Sequence, residues 1–146
     1  QIRHTVSVRP DEPCPCGTGA AFGDCCLPLH TGERARTAEQ LMRSRYSAFV
    51  VGDSDYLWRT WHPRTRPGSV TTDPATVWTG LEILDCVAGG PEDESGEVEF
   101  RASYREDHRR ALARGGESQR TGTLHERSRF AVRARRWFYL DGEVFG

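Results

Sequence analysis

Hydrophobic and polar residues change their period near the middle of this chain, from a helical spacing to strict alternation. Between positions 37 and 52, large or apolar side chains recur with helical spacing, at Leu41, Met42, Arg45, Tyr46, Ala48, Phe49 and Val50. Thr37 and Gln40 have the spacing of a helix capping box, and Gly52 suits the residue that follows a helix. The pattern predicts a helix that begins at Thr37 and ends at Gly52.

A second, shorter helix is predicted directly after the first. Asp53 can cap it, and it would run through Tyr56, Leu57, Thr60 and Trp61. Pro63 would end it, because the residue before a proline avoids the helical region. The polar segment 64–73 is predicted to be a loop.

The second half of the chain alternates between apolar and polar residues, as half-buried strands do. Strands are predicted over residues 81–87, 98–104, 124–132 and 137–140. Ala134 and Arg135 should form a tight turn, and residues 106–120 either a long hairpin loop or a short exposed helix. Helices followed by an antiparallel meander predict an α+β fold, with the helices packed on one sheet.

Four of the five cysteines lie within thirteen residues, as Cys14, Cys16, Cys25 and Cys26. Four thiolates form the ligand set of a closed, tetrahedral zinc site, which has no open position for water. The cluster therefore predicts one Zn²⁺ ion with a structural role. Two alternatives remain: a redox pair or vicinal disulfide at the two adjacent cysteines, and a site in which His30 replaces one sulfur. The fifth cysteine, Cys86, is predicted to be a small buried residue.

Charge and composition narrow the partners that we expect. The formal net charge is −1, so the protein as a whole has no field that attracts nucleic acid or an anionic membrane. The arginine-rich segment 101–136 could bind RNA, but cross-strand ion pairs explain much of its charge without a ligand. These pairs would join Glu97 and Glu99 with Arg127, Arg129 and Arg133. Nucleic acid is therefore not an expected partner.

Two further patterns bear on location. No apolar run reaches the roughly 18 residues of a membrane span, and no charged-then-apolar leader is present. Clustered cysteines outside an oxidising compartment favour metal over disulfides. We therefore expect a cytoplasmic protein with reduced thiols and no membrane span.

One acidic residue falls on the inward face of a predicted strand. In the segment 124–132, basic residues share one face, so Glu126 and Ser128 fall among apolar neighbours on the other. A buried carboxylate is costly unless it is paired, and such groups are frequent among catalytic acids and bases. Glu126 is therefore the best candidate for a general acid or base. The alternative is a structural ion pair between Glu126 and Arg45 of the first helix.

Other residues could surround Glu126 in a pocket. The candidates for the pocket wall are Arg45, Tyr46, Trp61 and Ser128. His62 or Tyr104 could transfer protons together with Glu126, provided that the side chains lie within hydrogen-bonding reach of a substrate. For His62, the alternative is a favourable contact with the dipole of the helix before it.

Four segments resemble known bacterial proteins. The run CPCGTGAAFGDCC (14–26) resembles the zinc-binding motif at the C-terminus of the SecA translocation motor. Three others resemble the YchJ-like family, to which no activity is assigned: RSRYSAF (43–49), YLWRTWHP (56–63) and LHERSRF (124–130). The resemblance implies that Cys14, Cys16, Cys25 and Cys26 are the zinc ligands. It also implies a nuclear transport factor 2-like domain, a cone of helices on a curved antiparallel sheet around a pocket.

The resemblance divides the chain into a tail (1–13), a zinc-binding motif (14–30) and a nuclear transport factor 2-like domain (31–146). The favoured function is a non-enzymatic adaptor that docks a protein partner through the zinc motif. The alternative is an enzyme in which Glu126 acts with His62 or Tyr104 on a small molecule, by dehydration, isomerisation or hydrolysis. An open cavity would favour the enzyme, and its expected lining is Arg45, Tyr46, His62, Tyr104 and Glu126. A filled core with an exposed apolar patch beside Phe22 and Leu27 would favour docking.

Overall fold

The computed structural model describes residues 7–106 and 120–146, in which helices precede strands, as predicted. A short 3₁₀ turn at Phe22–Asp24 comes first. It is followed by α1 (Cys26–His30), α2 (Ala38–Val51), α3 (Ser54–Arg59), β1 (Thr76–Ala88), β2 (Ser95–Glu106), β3 (Thr121–Arg133) and β4 (Arg136–Phe145). The loop or helix predicted for residues 106–120 lies almost entirely outside the described residues. No helix in the described ranges is long and apolar enough to cross a membrane.

Helix α2 begins and ends where its local sequence predicts. The Thr37 hydroxyl accepts a hydrogen bond from the backbone N–H of Gln40, and Gly52 follows the helix in the left-handed region with φ 77°. The Gln40 side chain accepts from the backbone N–H of Arg36, one residue earlier than a capping box requires. Asp53 caps α3 in the same manner as Thr37 caps α2.

The prediction that the second helix runs through Trp61 is wrong, because α3 ends at Arg59. The residues after it pair with the edge of the sheet instead. The backbone N–H of His62 donates to the Tyr139 carbonyl (2.7 Å), and that of Tyr139 donates to the Thr60 carbonyl (2.8 Å). Trp61 therefore forms a parallel bridge with Tyr139 of β4, which orients its side chain towards the inner face of the sheet.

The four strands form one antiparallel sheet in the order β1-β2-β3-β4. All four extend beyond the predicted segments, since pairing continues into polar residues that carry no alternation signal. The register shifts within β1 and between Arg129 and Phe130 bend the sheet, as bulges do. Ala134 and Arg135 form the predicted tight turn, both with positive φ. The α+β fold with a curved antiparallel sheet is confirmed.

The outer face of the sheet is charged and partly paired across strands. Arg127 donates to both glutamates predicted as its partners, at 2.9 and 2.8 Å. Arg129 pairs with Asp141 of β4 rather than with a β2 glutamate, because β4 lies on its other side. Arg133 forms no ion pair within the described ranges. Cross-strand pairing of opposite charges therefore holds for Arg127 and Arg129, and Arg133 shows no such pair in the described ranges.

The inner face of the sheet carries the core, and α2 lies across it. The largest cluster of buried apolar side chains includes Leu41, Met42, Tyr46, Val98, Phe100, Ala102, Phe130 and Trp137. A smaller cluster joins α1, α2 and α3 through Leu29, Ala48, Tyr56 and Leu57. Because α2 contributes to both, it is the central element of the helical layer.

Candidate functional site

The four clustered cysteines converge in space. Their sulfur atoms all lie within 4.8 Å of one another, and the Cys16 and Cys25 sulfurs are 3.6 Å apart. Tetrahedral zinc with Zn–S bonds of about 2.3 Å places its sulfur ligands roughly 3.8 Å apart. The four sulfurs therefore fit a tetrahedral zinc site, with small adjustments of the side chains.

The cysteine cluster is built from a small hairpin and a helix start. Pro13 and Ala21 pair as an antiparallel bridge, and the backbone N–H of Cys14 donates to the Ala20 carbonyl (2.9 Å). Cys26 begins α1 and is buried. Within residues 10–13, assigned to a tail by their sequence, the carbonyls of Pro10 and Glu12 accept backbone hydrogen bonds from Gly23 and Phe22. That part of the predicted tail is thus held by the cysteine cluster.

Polar groups surround the sulfur atoms. The Thr18 hydroxyl lies 3.2 Å from Cys25 Sγ, and the buried Ser47 hydroxyl of α2 lies 3.5 Å from Cys14 Sγ. Arg43 of α2 donates to the Cys16 carbonyl at 2.7 Å. A zinc–thiolate centre carries excess negative charge, and such neighbours stabilise and orient its ligands.

The thiols of the cluster strongly perturb one another. Hydrogen bonds from the thiols of Cys16 and Cys26 lower the pKa of Cys14, and the hydrogen bond with Cys14 raises the pKa of Cys26. Burial raises the pKa of Cys25 to about 11. The pKa of Cys14 is therefore lowered while the pKa values of Cys25 and Cys26 are raised, because adjacent buried thiolates repel each other. A divalent cation would remove that repulsion and favour the fully deprotonated cluster.

The alternatives to a four-sulfur site find little support in the geometry. His30 Nε2 lies 2.8 Å from the Ser44 carbonyl, and its ring packs against Phe22 and Tyr56, so His30 is not part of the cluster. All five cysteines are free thiols. Cys86 is exposed, so the prediction that it is buried is wrong.

A cavity of about 230 Å³ lies between α2 and the inner face of the sheet. Aromatic and aliphatic side chains form most of its wall, together with one arginine, one glutamate and one serine. The lining residues are Met42, Arg45, Tyr46, Phe49, Trp61, Trp78, Phe100, Ala102, Leu124, Glu126, Ser128 and Tyr139. All four residues predicted for a pocket wall therefore lie on this cavity, as does Glu126.

Arg45 carries a buried charge into the cavity wall. It is 5% exposed, and its Nη1 donates to the Leu57 carbonyl (2.8 Å) and the Thr60 hydroxyl (2.7 Å). Its guanidinium lies 4.7 Å above the Tyr139 ring, a cation–π distance. Burial lowers the pKa of Arg45 to about 10, which leaves it a cation at neutral pH. No ion pair with Glu126 forms within the described residues, and Nη1 bonds to the Leu57 carbonyl and the Thr60 hydroxyl instead.

Glu126 is half-buried and bonded to neutral partners. Its Oε2 accepts hydrogen bonds from the hydroxyls of Ser128 (2.9 Å) and Tyr139 (3.3 Å). Burial, and then the nearby Glu126, raises the pKa of Tyr139 to about 12, so this phenol keeps its proton. Gly142 leaves room for the carboxylate, since a Cβ there would overlap Glu126.

Two predicted proton-transfer residues do not line the cavity. The His62 side chain packs on Phe138, and its Nδ1 accepts from the backbone N–H of Arg64. Because Trp61 points inward from its bridge with β4, the next residue points away, and the structure does not bring His62 to Glu126. Tyr104 packs on Trp78 at the far end of β2, where it fills the space above Gly122.

Sequence reasoning missed several residues of the cavity, of which Tyr139 and Trp78 matter most. Tyr139 contacts both Arg45 and Glu126, and Trp78 lies in a part of β1 that precedes the predicted strand. The alternation within β4 could have indicated an inward Tyr139. Trp61 Nε1 is the one buried side-chain nitrogen or oxygen in the described ranges that lacks a hydrogen-bond partner.

Comparison with protein families finds two matches along the chain. The domain described as "YchJ, middle NTF2-like domain" matches residues 37–142, and the SEC-C motif matches residues 12–28. The first match covers α2, α3 and nearly all of the sheet, and the second covers the cysteine cluster.

Similar proteins occur in several bacteria. A UPF0225 protein of Streptomyces coelicolor is 50% identical over 135 residues, which cover 92% of this chain and 97% of that protein. A UPF0225 protein of Xanthomonas oryzae is 45% identical, with 90% and 95% coverage. The solution structure of a SEC-C motif containing protein from Rhodopseudomonas palustris aligns with a TM-score of 0.68 and 31% identity. That alignment covers 91% of this chain and 98% of the other.

Proposed function

This chain belongs to the YchJ-like family, with a SEC-C motif before its nuclear transport factor 2-like domain, and we propose that it binds a small molecule in the cavity under α2. One observation carries the proposal. A mostly apolar cavity of about 230 Å³ lies between α2 and the sheet, and Arg45, Glu126 and Ser128 are among the few polar or charged residues in its wall. Concave, mostly apolar cavities with a few convergent polar groups are the usual form of small-molecule sites.

The cysteine cluster serves this function as a structural element. We assign it one Zn²⁺ ion held by Cys14, Cys16, Cys25 and Cys26, which together leave no open coordination position. Ser47 and Arg43 connect the cluster to α2, the helix that also lines the cavity. The metal would therefore hold the helical wall of the binding site in place.

Docking of a protein partner through the cysteine motif stays a prediction. The exposed apolar patch that docking would need beside Phe22 and Leu27 has little support, since Phe22 is 4% exposed and Leu27 packs against the core. The large apolar side chains that are exposed in the described ranges lie elsewhere, at Phe49, Val87, Val144 and Phe145. Among these, Phe49 belongs to the cavity wall, which again favours a pocket ligand.

An acid or base role for Glu126 is the second candidate function. The observation that favours it is a carboxylate in an apolar cavity, hydrogen-bonded to the protonated phenol of Tyr139. Tyr139 would then be the partner of Glu126 in proton transfer, the role that the sequence analysis assigned to His62 or Tyr104. Substitution of Glu126 by Gln would abolish turnover of a bound compound in that case, while binding would continue.

A cavity-filling variant tests the binding function. Ala102 is 2% exposed and lines the cavity, so Ala102→Leu would occupy part of the ligand volume. Ala131→Leu is the matched control, because Ala131 lies on the outer face of β3. Fragments that shift ¹H–¹⁵N resonances of cavity residues should bind the control variant and lose at least about tenfold in affinity for the filled variant. Equal binding to both variants would refute the cavity as the site.

A further inference from the structure

The empty space of the cavity is bounded almost entirely by apolar atoms. Aromatic and aliphatic side chains of α2, β1, β2 and β3 supply most of this surface. Arg45, Glu126 and Ser128 belong to the same wall, but their polar atoms contribute little of the surface that a ligand would touch. The chemistry of the wall is therefore more apolar than its residue names suggest.

The polar groups of the wall are engaged with protein partners. Arg45 donates to a carbonyl of α3 and to the hydroxyl that follows this helix, and its guanidinium lies over the Tyr139 ring. Glu126 Oε2 accepts from the hydroxyls of Ser128 and Tyr139. Trp61 Nε1 has no hydrogen-bond partner in the described ranges, but this atom is buried and exposes almost no surface to the cavity. A ligand would thus meet apolar contacts and very few hydrogen-bonding groups.

Aromatic rings give one part of the cavity a shape that suits a flat ligand. The ring centre of Trp78 lies 6.4 Å from that of Tyr46 and 6.0 Å from that of Phe49, with ring planes inclined by 71° and 58°. Rings inclined in this way present both faces and edges, and each makes favourable contacts with another ring. Phe49 is 36% exposed, whereas the other lining side chains are buried or half-buried. The entrance therefore lies beside Phe49.

Such a wall selects against polar and charged ligands. A polar group that leaves water loses its hydrogen bonds, and this cost is not recovered where the wall offers no partner. The cost is larger for a charged group, because an ion also loses its solvation. An apolar group gains free energy on removal from water and has no such penalty. Apolar contact would supply the affinity, and the penalty on polar groups would supply the selectivity.

We infer that the cavity binds an uncharged, hydrocarbon-like ring compound, held by apolar and aromatic contacts without a hydrogen bond. The inference rests on the proposed small-molecule function and names the class of ligand. The volume agrees, because a dry apolar cavity of about 150 Å³ already holds benzene. The present cavity, at about 230 Å³, has room for one ring and an aliphatic branch.

Four single-ring probes of the same shape test the inference: isopropylbenzene, benzamide, benzoate and benzamidine. Each carries one branched group of three heavy atoms on the ring, so the probes differ mainly in polarity and charge. Each would be titrated against the protein and followed by ¹H–¹⁵N resonances, including the indole signals of Trp61 and Trp78. Isopropylbenzene should bind at least about tenfold more tightly than each of the other three, because it alone has no group that needs a polar partner.

Leu124→Asn supplies the second arm, since it places an amide in the cavity wall at nearly unchanged volume. Isopropylbenzene should bind this variant at least about tenfold more weakly, and its advantage over benzamide should shrink. Leu81→Asn is the matched control. Leu81 and Leu124 are both half-buried and both pair with Ala102, but Leu81 packs against the core without lining the cavity. Thermal unfolding would show that each variant is folded, and the probe series on the unmodified protein depends on neither.

The outcomes separate the two proposals. Benzamide, benzoate or benzamidine binding as tightly as isopropylbenzene would overturn the apolar class of ligand and leave the small-molecule function standing. An unchanged affinity for isopropylbenzene in Leu124→Asn would overturn it as well, and so would an equal loss in Leu81→Asn. If no probe and no fragment shifts the cavity resonances, both proposals fail together.

Discussion

The Ser47 hydroxyl lies 3.5 Å from the Cys14 sulfur, which joins the cysteine cluster directly to α2. Ser47 is fully buried, and its neighbours Tyr46 and Phe49 line the cavity on another face of the helix. One side of α2 therefore contacts the cysteine cluster, and another side lines the cavity. This relationship makes the state of the cysteines relevant to the cavity.

Substitution of Ser47 by Ala should weaken metal binding. The hydroxyl is a neighbour of a thiolate ligand, and loss of such neighbours commonly reduces metal affinity by about 10- to 100-fold. Competition of the protein with a chromophoric zinc chelator would measure the change. Ser44→Ala is the matched control, because Ser44 is equally buried one turn earlier and bonds to Tyr56 rather than to a cysteine. Equal losses in both variants would mean that helix stability, and not the hydroxyl–sulfur contact, sets the affinity.

Removal of the Zn²⁺ ion that we propose for the cysteine cluster should loosen α2. A structural zinc site contributes folding free energy, so chelation should lower the thermal midpoint by about 10 °C or more. Hydrogen exchange should accelerate in α1 and α2, which contact the cluster, before it accelerates at the β2–β3 pairs. A variant with Cys25→Ser and Cys26→Ser should show these effects without chelator and no further change with it. Unaltered exchange in α2 would contradict the coupling.

Gly142→Ala should displace the Glu126 carboxylate. A Cβ at residue 142 would overlap the position of Glu126 Oε2, so the hydrogen bonds to Ser128 and Tyr139 would break. Overpacking of this kind costs about 1–3 kcal/mol, which chemical denaturation would measure. Gly80→Ala in β1 is the control, because a Cβ there meets no atom within 4 Å. A loss of stability no larger than that of the control would show that Glu126 has another conformation available.

The tyrosines of the cavity should lose their protons at a higher pH than tyrosines in an unfolded chain. Burial raises the pKa of Tyr46 and of Tyr139 to about 12, against about 10 in an unfolded chain. Their raised pKa stabilises the fold fully below pH 10, and this contribution is lost as the pH rises from 10 to 12. Burial lowers the pKa of Arg45 to about 10, so Arg45 changes the stability of the fold in the opposite direction as the pH rises.

Phenolate absorbance would test this at pH 11, where Tyr139 should still be protonated in the folded protein. In Tyr139→Phe, the loss of stability between pH 10 and 12 should be less steep than in the unmodified protein. An identical slope would show that Tyr139 titrates with its ordinary pKa.

The sequence predicted those features that depend on neighbouring residues. The start of α2 follows from Thr37 and its end from Gly52, because each satisfies backbone groups within one turn. The inward phase of Glu126 and Ser128 follows from alternation within one strand. The convergence of the four cysteines could be predicted from their spacing, since that spacing is the one of a known motif.

The features that were missed depend on distant residues. Trp61 was predicted to be helical, but it lies outside α3 because its backbone pairs with Tyr139, which lies 78 positions later. That bridge in turn directed His62 away from Glu126. The position of Arg45 likewise depends on carbonyl and hydroxyl groups of Leu57 and Thr60, which only the folded chain brings together.

The two faces of α2 constrain how this segment can change length. A helix advances by about 100° per residue, so one inserted or deleted residue would rotate everything after it by that angle. Upstream of Arg43, such a change would turn Ser47 from Cys14 and turn Arg45 out of the cavity wall. A substitution in α2 changes the direct contacts of one side chain, whereas a change in its length would disrupt the contacts of both sites at once.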